Sequence, residues 1–255
     1  MQKKNIHHWS VLLFDEIDST NIKAMQMLED GKDLHRFVIS SHIQYGGKGQ
    51  QNRLWDSPKG NSFSTYILRP APNAPWNDIN RAALLGMLTA VTIGHTLSDF
   101  GVPLNDIFYK WPNDILINQH KIVGILPELS LSNKGFMNGI IVGAGVNLKH
   151  HPTNINRKTT SILEKYNIVI ETEAYLSHYL EKLNKLLDLW VNDGFTPILE
   201  EWTKNSHKVG DRLRLRIQDK EIEAYFHEFS DTGHLVVRSL YGEILTIRAG
   251  EVFFD

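Results

Sequence analysis

The sequence predicts an α/β domain of roughly 200 residues followed by a small all-β module of roughly 50. Three observations carry this. Apolar residues make up 42% of the 255, enough to bury a sizeable core. Up to about Ser206, β-rich apolar runs alternate with stretches whose apolar residues recur every three or four positions. Beyond it, "DRLRLRIQDKEIEAYFHEFSDTGHLVVRSLYGEILTIRAGEVFF" consists of short alternating runs broken at Asp219-Lys220, Thr232-Gly233 and Tyr241-Gly242. That is the pattern of a barrel of about five strands. No internal repeat or low-complexity tract interrupts either part.

The elements follow in order. "DSTNIKAMQMLEDGK" reads as a short helix capped by Ser19 or Thr20, with Ile22, Met25 and Leu28 as its apolar stripe and Gly31 as its end. "RFVISS" (36–41) is strand-like, and "SFSTYILRP" (62–70) is a second β-rich run after a glycine-rich stretch. Residues 77–101 read as a helix with Leu84, Leu88, Val91 and His95 on one face. Strands are expected at "DILIN", "KIVGILPELS" and "GFMNGIIVGAGVNL". A long helix starts at Thr172, with Leu176, Tyr179, Leu183, Leu186 and Trp190 on one side and Gly194 as its stop. "TPILEEW" starts another, with Thr196 as cap and Pro197 at the first helical position.

Bulk properties exclude several classes. Lys and Arg number 27 against 29 Asp and Glu, so there is no basic footprint for non-specific nucleic-acid binding. The absence of cysteine removes disulfides, thiolate catalysis and Cys-based zinc sites. Lys3 and Lys4 are followed only by "VLLF" before Asp15, whereas a secretion signal needs about 7–15 apolar residues. No apolar run approaches the roughly 20 residues of a membrane span. The expectation is a soluble, cytoplasmic protein.

Four stretches carry candidate chemistry. "GGKGQQNRLWDSPKGN" (46–61) combines glycines with Lys48, Arg53 and Trp55. Glycines allow close backbone approach to a ligand, successive N–H groups can cradle an anion, and the cations suit a carboxylate or phosphate. The spacing is neither a Walker loop nor a dinucleotide fingerprint, and a plain flexible surface loop would also account for it. In "KWPNDI" (110–115), Pro112 interrupts the strand and puts Asn113 and Asp114 at a turn. This is an ordinary hairpin turn or a rigid site wall, with Asp114 free to hold Mg²⁺ or orient an amine. "KIVGILPE" (121–128) places Lys121 at a strand start, where most lysines are simply solvated. "GAGVN" (143–147) ends a strand with two glycines and Asn147, as a bulge or as a close approach to a nucleotide. The pairs His7-His8 and His150-His151 are adjacent residues and do not have the spacing of metal ligands on a helix face. No nucleophile elbow is present.

Taken together and in order, "DSTN", "QYGGKGQQNRLWDSPKGN", "KWPND", "KIVGILPE", "GAGVN" and "TTSI" resemble the biotin protein ligase family (biotin–[acetyl-CoA-carboxylase] ligases) over essentially the whole chain. The resemblance implies an α+β fold. A mixed β-sheet packed with helices, like a class II synthetase, forms a catalytic domain over 1–205, and an SH3-like β-barrel covers 206–255. It implies ATP, Mg²⁺ and biotin, with formation of biotinyl-5′-AMP and transfer of biotin to one lysine of a biotin carboxyl carrier domain of a biotin-dependent carboxylase. A lipoate or octanoate ligase of the same fold is the alternative. By resemblance Ser19, Thr20, Asn21 and Gln44 meet the ureido end of biotin. Lys48, Gly49 and Gln50 cover the ligand, and Lys121 contacts the biotin carboxyl and the α-phosphate. Arg53, Trp55, Lys110 and Asn147 face the nucleotide. Lys121, Arg53 and Asp114 are the implied catalytic groups, and no residue is assigned to metal.

Two departures stand out. The family's loop commonly reads Gly-Arg-Gly-Arg-x-Gly-Arg, but here Lys48, Gln50 and Asn52 replace an arginine, an arginine and a glycine. Lysine cannot make arginine's bidentate contacts, and glutamine lacks its charge. The repressor members also carry an N-terminal helix-turn-helix domain, whereas this chain starts almost at the catalytic domain. The expectation is therefore a form without DNA binding, acting as a monomer or homodimer.

Overall fold

The computed structural model describes residues 1–32, 34–50, 53–81, 83–132, 134–153, 157–218 and 220–253. Asn52 of the departed loop and Asp219 of the expected turn lie outside the described residues. The chain begins with strands β1 (Gln2–Ile6) and β2 (Trp9–Ile17), which composition alone does not reveal. His7 and His8 have φ of 47° and 69° and join these strands, so the pair serves a two-residue hairpin turn of the type that matches sheet twist. Helix α1 (Thr20–Glu29) follows, and β3 (Phe37–Gln44) pairs parallel to β2, as a crossover helix requires. The remaining strands of this sheet are β4 (Ser62–Leu68), β5 (Ile107–Lys110), β6 (Asp114–Ile117), β7 (His120–Leu131) and β8 (Met137–Val146). Their order is β1-β2-β3-β4-β8-β7-β6-β5, a mixed sheet of eight.

Helix α2 starts at Leu84 and runs to Asp99, later than the expected residue 77. Two short 3-10 turns, Pro75–Asn77 and Ile79–Arg81, take up the preceding segment. Periodicity suggests one apolar face, but every residue from Leu84 to Gly94 is buried. The helix lies between the sheet and other helices and is apolar nearly all round. Its Thr89, Thr92 and Thr96 hydroxyls donate to the carbonyls of Leu85, Leu88 and Thr92, which lets threonine sit in the core. The short α3 (Ile162–Tyr166) precedes α4 (Thr172–Asp193), which ends at Gly194 with φ of 82° as predicted. Helix α5 (Thr196–Lys204) has Phe195 at its cap position, so Thr196 is already helical, one residue earlier than the sequence suggests.

Five antiparallel strands complete the chain: β9 (Arg212–Ile217), β10 (Lys220–Phe229), β11 (Leu235–Ser239), β12 (Ile244–Ile247) and β13 (Glu251–Phe253), in the order β12-β11-β10-β9-β13. This sheet is docked tightly against the rest. The Trp111 indole donates to Gly233 O at 3.0 Å, and Trp202 meets Phe229 edge to face at 6.2 Å. Leu213, Leu215, Phe226 and Val252 belong to the same apolar cluster as α2 and α4.

The eight-stranded sheet buries different things on its two faces. One face, with Val38, Tyr66, Ile140 and Val142, packs under α2 and α4. The other, with Ile39, Ile67 and Ile141, packs under α1. Farther along this second face the side chains shrink. Register pairs Thr65 with Gly143 and Gly143 with Leu126; Gly145 pairs with Gly124, and Gly124 with Asp114. The result is a glycine-floored shelf in a well-packed sheet.

Candidate active site

A cavity of about 580 Å³ stands on this shelf, within the range of small-molecule and cofactor sites. Every site residue that the family resemblance implies lines it: Ser19, Thr20, Asn21, Gln44, Lys48, Gly49, Gln50, Arg53, Trp55, Lys110, Asp114, Lys121 and Asn147.

At one end the polar groups are hydrogen-bonded to one another. The Asn21 amide donates to the Glu128 carboxylate at 2.6 Å, and Thr65 Oγ1 lies 2.6 Å from Asn21 Oδ1 and 2.8 Å from Thr20 Oγ1. Because Glu128 in its ionised form only accepts, Asn21 must turn its NH₂ toward it and its carbonyl toward Thr65. Gln44 Oε1 accepts from the Thr20 backbone N–H at 2.8 Å and lies 3.0 Å from its hydroxyl, while Gln44 Nε2 donates to Ser57 at 3.1 Å. Thr20 and Asn21 are buried although polar, which is why α1 buries Thr20, Asn21, Ala24, Met27 and Leu28. Ile22 and Met25, expected on that face, are only partly covered. Ser19 caps the helix as expected, accepting from Ile22 N–H at 3.5 Å.

The glycine loop folds as a narrow double arm. Gly49 N–H donates to Arg53 O at 2.7 Å, and Trp55 N–H to Gly47 O at 2.8 Å. This brings the Trp55 indole down on the shelf. A Cβ on Gly145 would lie 2.4 Å from its Nε1, and one on Gly124 would lie 2.7 Å from the ring.

The other end is cationic. Lys121 Nζ is 2.6 Å from Asp114 Oδ1, with the two side chains 16% and 12% exposed, and 5.2 Å from the Trp55 ring. Asp114 is therefore not free, as the sequence alone suggested, but is the counter-ion of Lys121. The Trp111–Pro112 peptide before it is cis. Burial holds the Lys110 amine below the usual lysine range; Asp114 and Glu251 partly counter this, and Arg157 and Lys121 add to it. Asn147 Nδ2 donates to Thr160 O at 3.1 Å, while Asn147 Oδ1 and Trp55 Nε1 are buried without a hydrogen-bond partner. A buried acceptor and a buried donor left open on one cavity wall point to a ligand that supplies both.

Sequence reasoning missed Thr65, Glu128, Arg157 and Glu251. Glu128 closes the quoted "KIVGILPE", and Thr65 lies inside a predicted strand. Arg157 and Glu251 reach the site by long-range pairing. Residues 157–160 run beside the start of β7, with Lys121 N–H donating to Lys158 O at 2.9 Å and Thr160 N–H to Lys121 O at 3.2 Å. No local pattern marks either residue.

Comparison with known proteins shows the family and the fold. The model of the Biotin/lipoate A/B protein ligase family matches residues 13–147. A biotin–[acetyl-CoA-carboxylase] ligase of Paracoccus denitrificans is 30% identical over 93% of this chain and 97% of its own length. The bifunctional ligase/repressor BirA of Escherichia coli is 24% identical over 95% of this chain and 75% of its own. Among solved structures, the biotin protein ligase of Aquifex aeolicus in complex with biotin and ATP superposes with a TM-score of 0.77 at 21% identity. The match covers 95% of this chain and 97% of that one, and it shows a shared fold. The chain belongs to the biotin/lipoate A/B protein ligase family.

Proposed function

We propose that this protein is an ATP-dependent biotin–protein ligase. It joins biotin to AMP and then transfers the biotinyl group to one lysine of a biotin carboxyl carrier domain. The observation that carries the reading is the polarity of the cavity. One end is a hydrogen-bonded array suited to a neutral urea, and the other gathers cations suited to two anions.

The chemistry follows from those ends. A biotin carboxylate oxygen must attack the α-phosphorus of ATP while pyrophosphate leaves, so two negative groups are forced together. Cations aimed at the developing charge lower that barrier. Lys121 is assigned to the carboxylate and the α-phosphate, with Arg53 and Lys110 on the nucleotide side and Asn147 and Trp55 beside the nucleotide. Ser19, Thr20, Asn21 and Gln44 take the ureido ring, and Lys48, Gly49 and Gln50 close over the bound molecule and limit hydrolysis of the mixed anhydride. In the second step the neutral acceptor amine attacks the acyl carbon, its nitrogen loses a proton, and AMP leaves. Asp114, already paired with a cation, is placed to orient that amine. Mg²⁺ accompanies ATP phosphates and is usually held by one or two carboxylates plus the phosphates themselves. Asp114 and Glu251 line the cavity, but Lys121 pairs with the first and Arg53 and Arg157 with the second, so neither is a free ligand; Mg²⁺ would enter on the ATP phosphates and would supply charge neutralisation there.

In this reading residues 1–205 form the catalytic domain and 206–255 a smaller accessory domain. No described helix is long and apolar enough to cross a membrane. The formal net charge of −2 supports a protein partner and not a nucleic acid. Incubation with ATP, biotin and candidate carrier domains, followed by mass spectrometry, tests the substrate. The expected result is one biotinyl group on one lysine. Modification by lipoate or octanoate in place of biotin would overturn it.

A further inference from the structure

We infer that Glu251, on the last strand of the C-terminal sheet, is a positioning residue for the phosphate end of the cavity, tying the glycine loop to the 157–160 segment through two arginines. The inference rests on the ligase reading for the identity of the phosphate.

Arg53 reaches Glu251 as a two-pronged pair, Nη1 to Oε1 at 3.2 Å and Nη2 to Oε2 at 3.1 Å. Arg157 Nη2 donates to the same Oε1. The Glu251 side chain is only 14% exposed, while those of Arg53 and Arg157 are 40% and 36% exposed, so one nearly buried carboxylate carries two outward guanidiniums. Burial would push this carboxyl up, but Arg53, Arg157 and Lys110 outweigh it and hold it below the usual range. The strand beneath is fixed by its register with β9, Glu251 opposite Arg216.

This geometry has a purpose that a surface ion pair lacks. Arg53, Arg157, Lys110 and Lys121 line one wall of one cavity, and like charges that close repel. A carboxylate among them lowers that cost before ATP arrives and sets the planar fork of Arg53 in one orientation. Arg53 also stands in the second arm of the glycine loop, whose N–H and carbonyl bond to Gln50 and Gly49. Its neighbour Leu54 is 84% exposed, so Leu54 adds no packing to this arm, whose anchor within the loop is Trp55 on the shelf. Holding Arg53 therefore holds the loop from outside, by a residue 198 positions away. The C-terminal sheet becomes part of the nucleotide site without contributing a group to the chemistry.

The test uses the full chain and compares wild type, Glu251→Gln and Glu251→Asp. Steady-state ATP–pyrophosphate exchange gives KM for ATP and for biotin. Hydrogen exchange of the ligand-free protein follows the amides of Gly49, Arg53 and Trp55. Loss of a charge-assisted pair corresponds to about tenfold or more. Glu251→Gln should raise KM for ATP by about tenfold, leave KM for biotin within about twofold, and speed loop exchange by about tenfold, with Glu251→Asp in between. Unchanged loop exchange would overturn the tie. A lower KM for ATP would also overturn it, because Glu251 would then be competing with phosphate. Should Glu251→Gln unfold the C-terminal sheet, Arg53→Gln cuts the same tie from the loop side, and its hydrogen exchange decides the question. Failure of the wild type to exchange pyrophosphate would count against the ligase reading alone, since the loop measurement needs no activity.

Discussion

Lys121→Ala should reduce biotin-dependent pyrophosphate exchange by about 10²–10³-fold, the usual effect of removing one group aimed at developing charge. Two losses act in the same direction. The cation between carboxylate and α-phosphate disappears, and the Asp114 carboxylate, 2.6 Å away and 12% exposed, loses its partner and adds a negative charge to the wall. The second loss also affects the fold. Removing one member of a nearly buried pair costs about 3 kcal/mol where burial is complete, and less here. Thermal melting must therefore accompany the assay. Lys121→Ala combined with Asp114→Asn separates the two effects: it should recover stability while exchange stays low. If the single variant exchanges pyrophosphate near the wild-type rate, Lys121 does not face the reacting phosphate.

The second large effect is expected at the opposite end. A Cβ on Gly143 would stand 2.0 Å from Asn21 Oδ1 and 2.8 Å from its Cγ. The backbone there lies in a regular strand, so alanine is no strain for the chain itself; the clash is with Asn21. Asn21 is short, and Thr65 and Glu128 pin it at 2.6 Å each, so it cannot swing away without breaking both bonds. Each broken bond to a buried or charged partner costs about 1–3 kcal/mol. Gly143→Ala should therefore weaken biotin binding by about 10–100-fold while ATP binding changes little, read by titration calorimetry with each ligand separately. An unchanged biotin affinity would show that the Asn21–Thr65–Glu128 array does not touch the ureido ring.

Much of this was legible in the sequence, and the exceptions share a cause. Helix α4 and its stop at Gly194 follow from spacing and from the one residue that accepts a positive φ without cost. The five C-terminal strands follow from their turn residues. Periodicity is only partly right about α1: Leu28 is buried and Met25 packs against the same core, but a rule that weighs apolar letters misses Thr20 and Asn21, which are buried, polar and satisfied inside the cavity. It misjudges α2 for the opposite reason: a helix covered on all sides has no stripe to find. Strands β1 and β2 join through two histidines, residues not usually associated with turns. In the site, the motif residues are legible because the glycines and cations sit close together in sequence. Glu251 is not, because its meaning lies in arginines 94 and 198 positions away.

A single glycine-floored cavity that activates biotin at the α-phosphate of ATP must support ATP–pyrophosphate exchange by the purified wild-type protein with biotin, and not lipoate, as the only acid. The expected exchange depends on biotin and is near background with lipoate. Exchange with lipoate but not biotin, or none with either, would contradict it.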